Sequence, residues 1–302
     1  MTGLTFAAVS RNYFNLPVWI AQHAGLFAEE GLTVAIELHE GVDAVTERLR
    51  DGRVDLAYGI TEHVVLDREA GGHLTIVGGN VNKLPFSLIA RPEIRDVSGL
   101  RGKVIGVSSL EAGSSSLVMK LLAARGLTYP GDYALRAVGP ILARWELLQS
   151  GAIDAGLQGA PLDAVAIDAG FSVVCDPRAD VPDFQFTSLN VDARWAAENA
   201  AILTRFLRAF VRAHALFYRD PDTATRVAAV ETGVAPAYLA RAWQTYTDEA
   251  IFPRDGDAST AAVQALIEVS ALIRALPNRR HSEADRYIDR RYLRAAHRSL
   301  SS

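Results

Sequence analysis

Apolar positions along this chain switch repeatedly between two periods. Residues 4–9 (Leu4-Thr-Phe-Ala-Ala-Val9) form an apolar run that reads as a core strand. After a polar loop over 10–15, a helix starts at Leu16-Pro17, since proline suits a first turn. Its apolar positions Trp19, Ile20, Ala24 and Leu26-Phe27 recur until Gly31 breaks it. A strand over 32–38, a helix over 42–49, an Asp51-Gly52 turn and a strand over 54–58 follow. The stretch 103–126 repeats the alternation. Residues 103–107 read as a strand, 108–113 as a small polar loop, and Leu117, Val118, Leu121 and Leu122 recur at helical spacing up to a stop at Gly126. Strands alternating with helices predict an α/β architecture with mainly parallel sheets.

An internal echo extends that picture. Leu49-Arg-Asp-Gly-Arg-Val-Asp55 resembles Leu148-Gln-Ser-Gly-Ala-Ile-Asp154, and the same offset carries the strand at 6–10 onto the one at 105–109. Two half-chains with one order of elements predict two similar lobes. Turn residues and a proline over 80–86 mark one crossover, and the extended segment 183–190 marks a second. The expected division is residues 1–84 and 189–302 in one lobe and 85–188 in the other. The tail reads as helical: Leu203, Phe206, Leu207, Phe210 and Phe217 share a face, Asp220-Pro221 opens a further helix, and Tyr292, Leu293 and Ala296 share another face.

Composition narrows the partners. With 302 residues, 49% hydrophobic and 22% charged, the chain falls in the ordinary globular range. A net charge of -4 gives no footprint for nucleic acid, and no run is long and apolar enough for membrane insertion. Cys175 is the only cysteine and sits at the end of an apolar strand pattern, while the 7 histidines lack ligand spacing, so neither a metal nor another cofactor is expected. No basic, apolar and small-residue leader precedes residue 4. The sequence as given therefore reads as cytoplasmic, or as periplasmic if a leader was removed or the true start lies upstream.

The triple serine at 114–116 opens its helix with unpaired N–H groups, a positive dipole end and hydroxyls. Such a turn either holds an anion or polar ligand edge or is simply capped by its own serines. Ligands of open α/β sheets bind beyond the carboxyl ends of the strands. Those loops supply the candidate ligand-binding residues Arg11, Asn12, Tyr13, Phe14, Tyr58, Thr61, Glu62, Ser108, Ser109, Gly113, Ser114, Ser115 and Gly159, with Asn82 and Lys83 at the first crossover and Arg144 as a clamp for a carboxylate. Core packing is the competing role for Tyr58, an exposed position for Lys83, and a solvated helix face for Arg144. Glu62 and His63 are the candidates for proton transfer, although neighbours at a helix start point different ways. No dinucleotide fingerprint, phosphate loop or nucleophile elbow is present.

Several stretches together carry a resemblance that covers nearly the whole chain. Asn15-Leu-Pro-Val-Trp-Ile-Ala, Gly25-Leu-Phe-Ala-Glu-Glu-Gly-Leu32, Leu49 with Gly52-Arg-Val-Asp55, Leu100-Arg-Gly-Lys-Val-Ile-Gly-Val107 and Ile288-Asp-Arg-Arg-Tyr-Leu293 resemble solute-binding proteins of bacterial ABC transporters. The nearest class serves nitrate, taurine, alkanesulfonates and pyrimidine precursors of thiamine. The resemblance implies a two-lobed type II periplasmic-binding fold that closes by hinge motion on a small anionic or polar organic solute, with an ABC permease as partner. It also leaves a second expectation, because some proteins of this fold are cytoplasmic enzymes, among them aromatic-acid decarboxylases and the synthase of the thiamine pyrimidine. The missing leader is the departure from the transport pattern.

Overall fold

Inner strands buried on both faces, the mark of sheets covered by helices on either side, run through two five-stranded sheets in this computed structural model, which describes residues 1–110, 113–270 and 283–301. The first part of the chain gives β1 (Thr2–Val9), α1 (Leu16–His23), α2 (Leu26–Glu29), β2 (Leu32–His39), α3 (Val42–Arg50), β3 (Leu56–Ile60), α4 (Thr61–Glu69) and β4 (Leu74–Val81). The middle gives β5 (Phe86–Ala90), β6 (Val104–Val107), α5 (Ser114–Ala123), β7 (Ala134–Ala137), α6 (Ile141–Gln149), β8 (Ala155–Gly159), α7 (Leu162–Asp168) and β9 (Ser172–Cys175). Then come β10 (Thr187–Asp192), α8 (Ala193–Glu198), α9 (Ala200–Arg219), α10 (Pro221–Thr232), α11 (Pro236–Asp248), α12 (Thr260–Ser270) and α13 (Arg291–Leu300).

The strand orders are β2-β1-β3-β10-β4 and β7-β6-β8-β5-β9. Each sheet is parallel except for one strand: β10 runs against β3 and β4, and β5 against β8 and β9. Those two strands follow the crossovers, so each sheet is completed by a segment that has just left the other. The two-lobed, mainly parallel fold with two crossovers is the one expected.

The echo has a physical basis. Asp55, just ahead of β3, accepts the N–H of Thr5 in β1 at 2.8 Å and returns its own N–H to the Thr5 carbonyl at 2.9 Å. Asp154, just ahead of β8, does the same with Val104 in β6, at 2.9 and 2.8 Å. Each carboxylate extends a parallel ladder by one charge-assisted bond. Gly52 and Gly151, at φ +68° and +74°, make the left-handed turn that delivers it.

Two local expectations shift. The single helix read from Leu16 to Phe27 is broken into α1 and α2, because Gly25 takes φ +72° between them. The strand read at 54–58 lies at Leu56–Ile60, since Asp55 is used in the ladder. In the tail, Phe206 stacks on Phe6 and on Phe27, and Arg208 pairs with Glu30, which fastens α9 across β1 and α2. Asp220 caps α10 through the Thr223 N–H, and Tyr292, Leu293 and Ala296 are buried as their shared face implies. No helix among the described residues is long and apolar enough to cross a membrane.

The two crossovers lie side by side. Phe184 and Phe186 donate their N–H groups to the carbonyls of Asn82 and Val81. Between them, Gln185 Nε2 donates to Asn82 Oδ1 at 2.7 Å and to Thr187 O at 2.8 Å. The loop before α12 braces this junction from behind: Asn82 Nδ2 donates to Asp257 O, and Gln185 Oε1 accepts from Ser259 N.

Candidate functional site

The carboxyl ends of the central strands of both sheets face a shared cavity. One lobe contributes Val9, Asn12, Phe14 and Asn15 after β1, Val42 of α3, Tyr58 and Ile60 of β3, and Asn80 of β4. The other contributes Ser108 after β6 and Pro140, Ile141 and Arg144 of α6. Phe186 and Thr187 come from the second crossover. Ser10 turns the chain off the tip of β1 at φ +49°, a region serine seldom occupies, and Asn15 Nδ2 donates to the Ser10 carbonyl to hold that turn.

Arg144 is the strongest electrostatic feature of the wall. Its side chain is 2% exposed and forms no ion pair among the described residues. The stem lies between Gly106 and Gly156: a Cβ on Gly156 would stand 2.7 Å from its Cδ and 3.1 Å from its Cγ, and one on Gly106 3.3 Å from its Cγ. Nη1 donates to Leu157 O and Nη2 to Gly139 O, while Nε has no partner. Burial pulls the guanidinium down to about 10, still charged at neutral pH. On the other lobe's part of the lining, Asn80 Oδ1 and the Tyr58 hydroxyl are buried and likewise have no partner among the described residues. Asn80 Nδ2 is spent on Thr187 Oγ1, and burial raises the Tyr58 phenol well above its ordinary range, so it stays a donor.

The helix start that promised an anion seat is partly taken up by the protein's own groups, while Ser116 Oγ is buried with no partner among the described residues. Gly113, the residue before α5, donates its N–H to Glu62 Oε2 at 2.8 Å, a bond that joins the two lobes. Ser114 N donates to Ser108 Oγ, and Ser114 Oγ accepts from Ser108 N. Ser115 Oγ donates to Leu110 O, and Ser109 is half-buried. Residues 111–112 of this loop lie outside those described.

Of the residues singled out from sequence, Asn12, Phe14, Tyr58, Ser108 and Arg144 meet at the cavity. Arg11, Tyr13 and Gly159 line a smaller neighbouring one. There Arg11 turns outward to Glu231, and the Tyr13 ring packs on Tyr246 with its phenol raised by burial. Thr61 bonds to Ser188, and Asn82 is held in the crossover junction with Lys83 half-buried beside it. Glu62 and His63 diverge: His63 Nδ1 meets Thr46 Oγ1 at 2.7 Å and its Nε2 lies 3.5 Å from Asp43, on the far side from Gly113. Sequence reasoning missed Asn15, Asn80, Ile141, Phe186 and Thr187. For Asn80, Phe186 and Thr187 the signal was the crossovers themselves, because in a two-lobed fold the chain passes between lobes beside the cleft.

The glycine slot yields a first prediction. Gly156→Ala forces the Arg144 stem out of its groove without touching the guanidinium. Affinity for any solute that this site binds is expected to fall about tenfold, ~1.4 kcal/mol by calorimetry, with the far-ultraviolet circular dichroism unchanged.

A cavity between the strand ends of two covered sheets, crossed by two paired connections, is the arrangement of the periplasmic-binding-type fold. Comparisons agree. The family model described as "NMT1/THI5 like" matches residues 13–224, and the chain belongs to that family. A 4-amino-5-hydroxymethyl-2-methylpyrimidine phosphate synthase of Candida albicans is 27% identical over 217 residues, 66% of this chain and 62% of the relative; the chain thus spans less than two thirds of that relative's length. Among solved structures, the nitrate-binding protein NrtA of Synechocystis PCC 6803 superposes with a TM-score of 0.84 at 13% identity, over 99% of this chain and 89% of that one. The alkanesulfonate-binding protein SsuA of Xanthomonas axonopodis pv. citri, bound to MOPS, superposes with a TM-score of 0.78 at 18% identity, over 96% and 99%. At such identities the structural likeness speaks for the fold alone.

Proposed function

We propose that this protein binds a small anionic or polar organic solute between its lobes and closes on it about the paired crossovers, as the solute-binding component of an ABC importer. The observation that carries this reading is the cavity walled from both lobes, with a buried guanidinium that has no acid partner among the described residues. Its volume, about 40 Å³, has room for little more than a water molecule. A larger solute reaches these walls only when the lobes part. Across the rim, Arg241 of α11 meets Asp168 of α7 at 3.1 Å, an exposed pair that separates on opening at little cost. In the transport role the chain works outside the cytoplasmic membrane and meets a permease, a partnership that a neighbouring permease and ATPase in the genome would support.

A thermal-shift screen over sulfonates, carboxylates, nitrate and pyrimidines tests the reading. A solute at a hundred times its Kd stabilises the folded state by about 2.7 kcal/mol, so a saturable rise in Tm is expected. No rise with any member would overturn it. The synthase relative motivates a second reading, an enzyme on the same scaffold. Glu62 and His63 are its candidate acid–base groups, and both are engaged away from the cavity wall. Product formed from a bound acid or pyrimidine, and lost in His63→Gln, would favour that reading over transport.

A further inference from the structure

The charges and unmet hydrogen bonds of the cleft restrict its ligand further, on the assumption that the cleft binds a solute at all. Arg144 is a buried cation on one lobe, locked by a glycine slot and two carbonyls, with Nε unpartnered. A guanidinium so placed costs stability unless a counter-charge meets it. No residue of the described chain does. On the other lobe, Asn80 Oδ1 is an unpartnered acceptor, 0% exposed as a residue, and Tyr58, which lines the same cavity with its ring packed on Phe6 and Phe210, has an unpartnered hydroxyl and is 2% exposed. The rest of the lining is mainly apolar, with Val9, Phe14, Ile60, Ile141 and Phe186, and its other polar side chains, Asn12, Asn15, Ser108 and Thr187, already have hydrogen-bond partners within the protein. The other place where an acid group could settle, the start of α5, already holds the Glu62 carboxylate. Arg144 is the only charged residue among the described lining residues, so a second negative charge on the ligand would find no cation there.

We infer that the cleft selects a small organic acid of single charge with an apolar body and a hydrogen-bond donor at its far end, the acid on Arg144 and the donor on Asn80 Oδ1 of the opposite lobe. Tyr58 then donates to an oxygen of the same far group. A hydroxyl satisfies both partners at once, accepting from Tyr58 and donating to Asn80. Such a ligand bridges the lobes, because each of its polar ends belongs to a different one.

Two probe series measured by calorimetry test this on the full chain: 3-hydroxybenzoate, benzoate and 3-hydroxybenzamide, and the aliphatic 3-hydroxypropanoate, propanoate and 3-hydroxypropanamide. In at least one series the hydroxy acid is expected to bind ten-fold or more tighter than both its deoxy acid and its neutral amide. Arg144→Met abolishes the preference for acid over amide, and Tyr58→Phe reduces the preference for the hydroxyl while leaving that for the acid. Arg144→Lys, which keeps charge in the slot, serves if the methionine variant does not fold, and should retain part of the acid preference. Equal binding of acid and amide in both series, or no discrimination in either, overturns the inference. So does tighter binding of a dicarboxylate such as 5-hydroxyisophthalate. The two readings fail separately: a neutral or doubly charged solute that raises Tm in the screen refutes this charge assignment and leaves solute binding standing, whereas silence throughout the screen refutes solute binding itself.

Discussion

Gln185→Ala is expected to destabilise the protein by about 3 kcal/mol, the summed cost of two newly orphaned half-buried groups and a cavity at a fully buried side chain. Gln185 is 0% exposed and occupies the second crossover. Its amide donates to Asn82 Oδ1, Thr187 O and Val81 O and accepts from Ser259 N, so one side chain joins both crossovers to the loop before α12. Truncation leaves Ser259 N without an acceptor and Asn82 Oδ1 without a donor. Gln185→Glu keeps the volume but replaces a donor with a charge facing carbonyl oxygens, and should be at least as harmful. Urea unfolding monitored by tryptophan fluorescence checks both; a change within 0.5 kcal/mol, roughly the range of ordinary surface substitutions, would show that the junction is not held this way.

The second large effect is on pH. His214 of α9 is fully buried among Phe210 and Phe252, with Nδ1 at 2.6 Å from Pro253 O and Nε2 unpartnered. Desolvation is the main cause that pushes its pKa down from 6.5 to about 4. The unfolded chain therefore takes up this proton first as pH falls. The stability tied to neutral His214 is complete above about pH 6.5 and is lost as pH drops towards 4, where the loss reaches about 3 kcal/mol. His214→Gln, whose amide can still donate to Pro253 O, should flatten the unfolding free energy between pH 6.5 and 4. An unchanged slope would remove His214 from the acid sensitivity.

How much of this was legible in the sequence differs between scaffold and site. The alternation of strands and helices and the echo of Asp55 in Asp154 are local patterns with a local cause, a carboxylate that lengthens a parallel ladder. They can be read without coordinates. Gly25 was harder, since a left-handed residue inside an apolar helical stripe looks like any other helix glycine until the chain direction is known. The site was legible by type and only partly by residue. The strand-end rule brought in Asn12, Phe14, Tyr58, Ser108 and Arg144. It could not show that the serine-rich turn would be satisfied by Glu62 from the other lobe, because that bond spans 51 positions in the chain. Nor could it show Asn80 and Thr187 bonded to each other across β4 and β10, as that pairing depends on a return strand entering the first sheet between β3 and β4. Arg11 looked like a ligand cation, but a helix arriving much later supplies Glu231 to hold it.

The account stands on one motion, the closing of two lobes about a solute. Small-angle X-ray scattering of the protein alone and saturated with a solute that raises its Tm measures that motion directly. The radius of gyration should fall on saturation, and fall less in Gln185→Ala, where the crossovers are no longer pinned together. A solute that binds tightly while the scattering profile stays the same would contradict closure between the lobes.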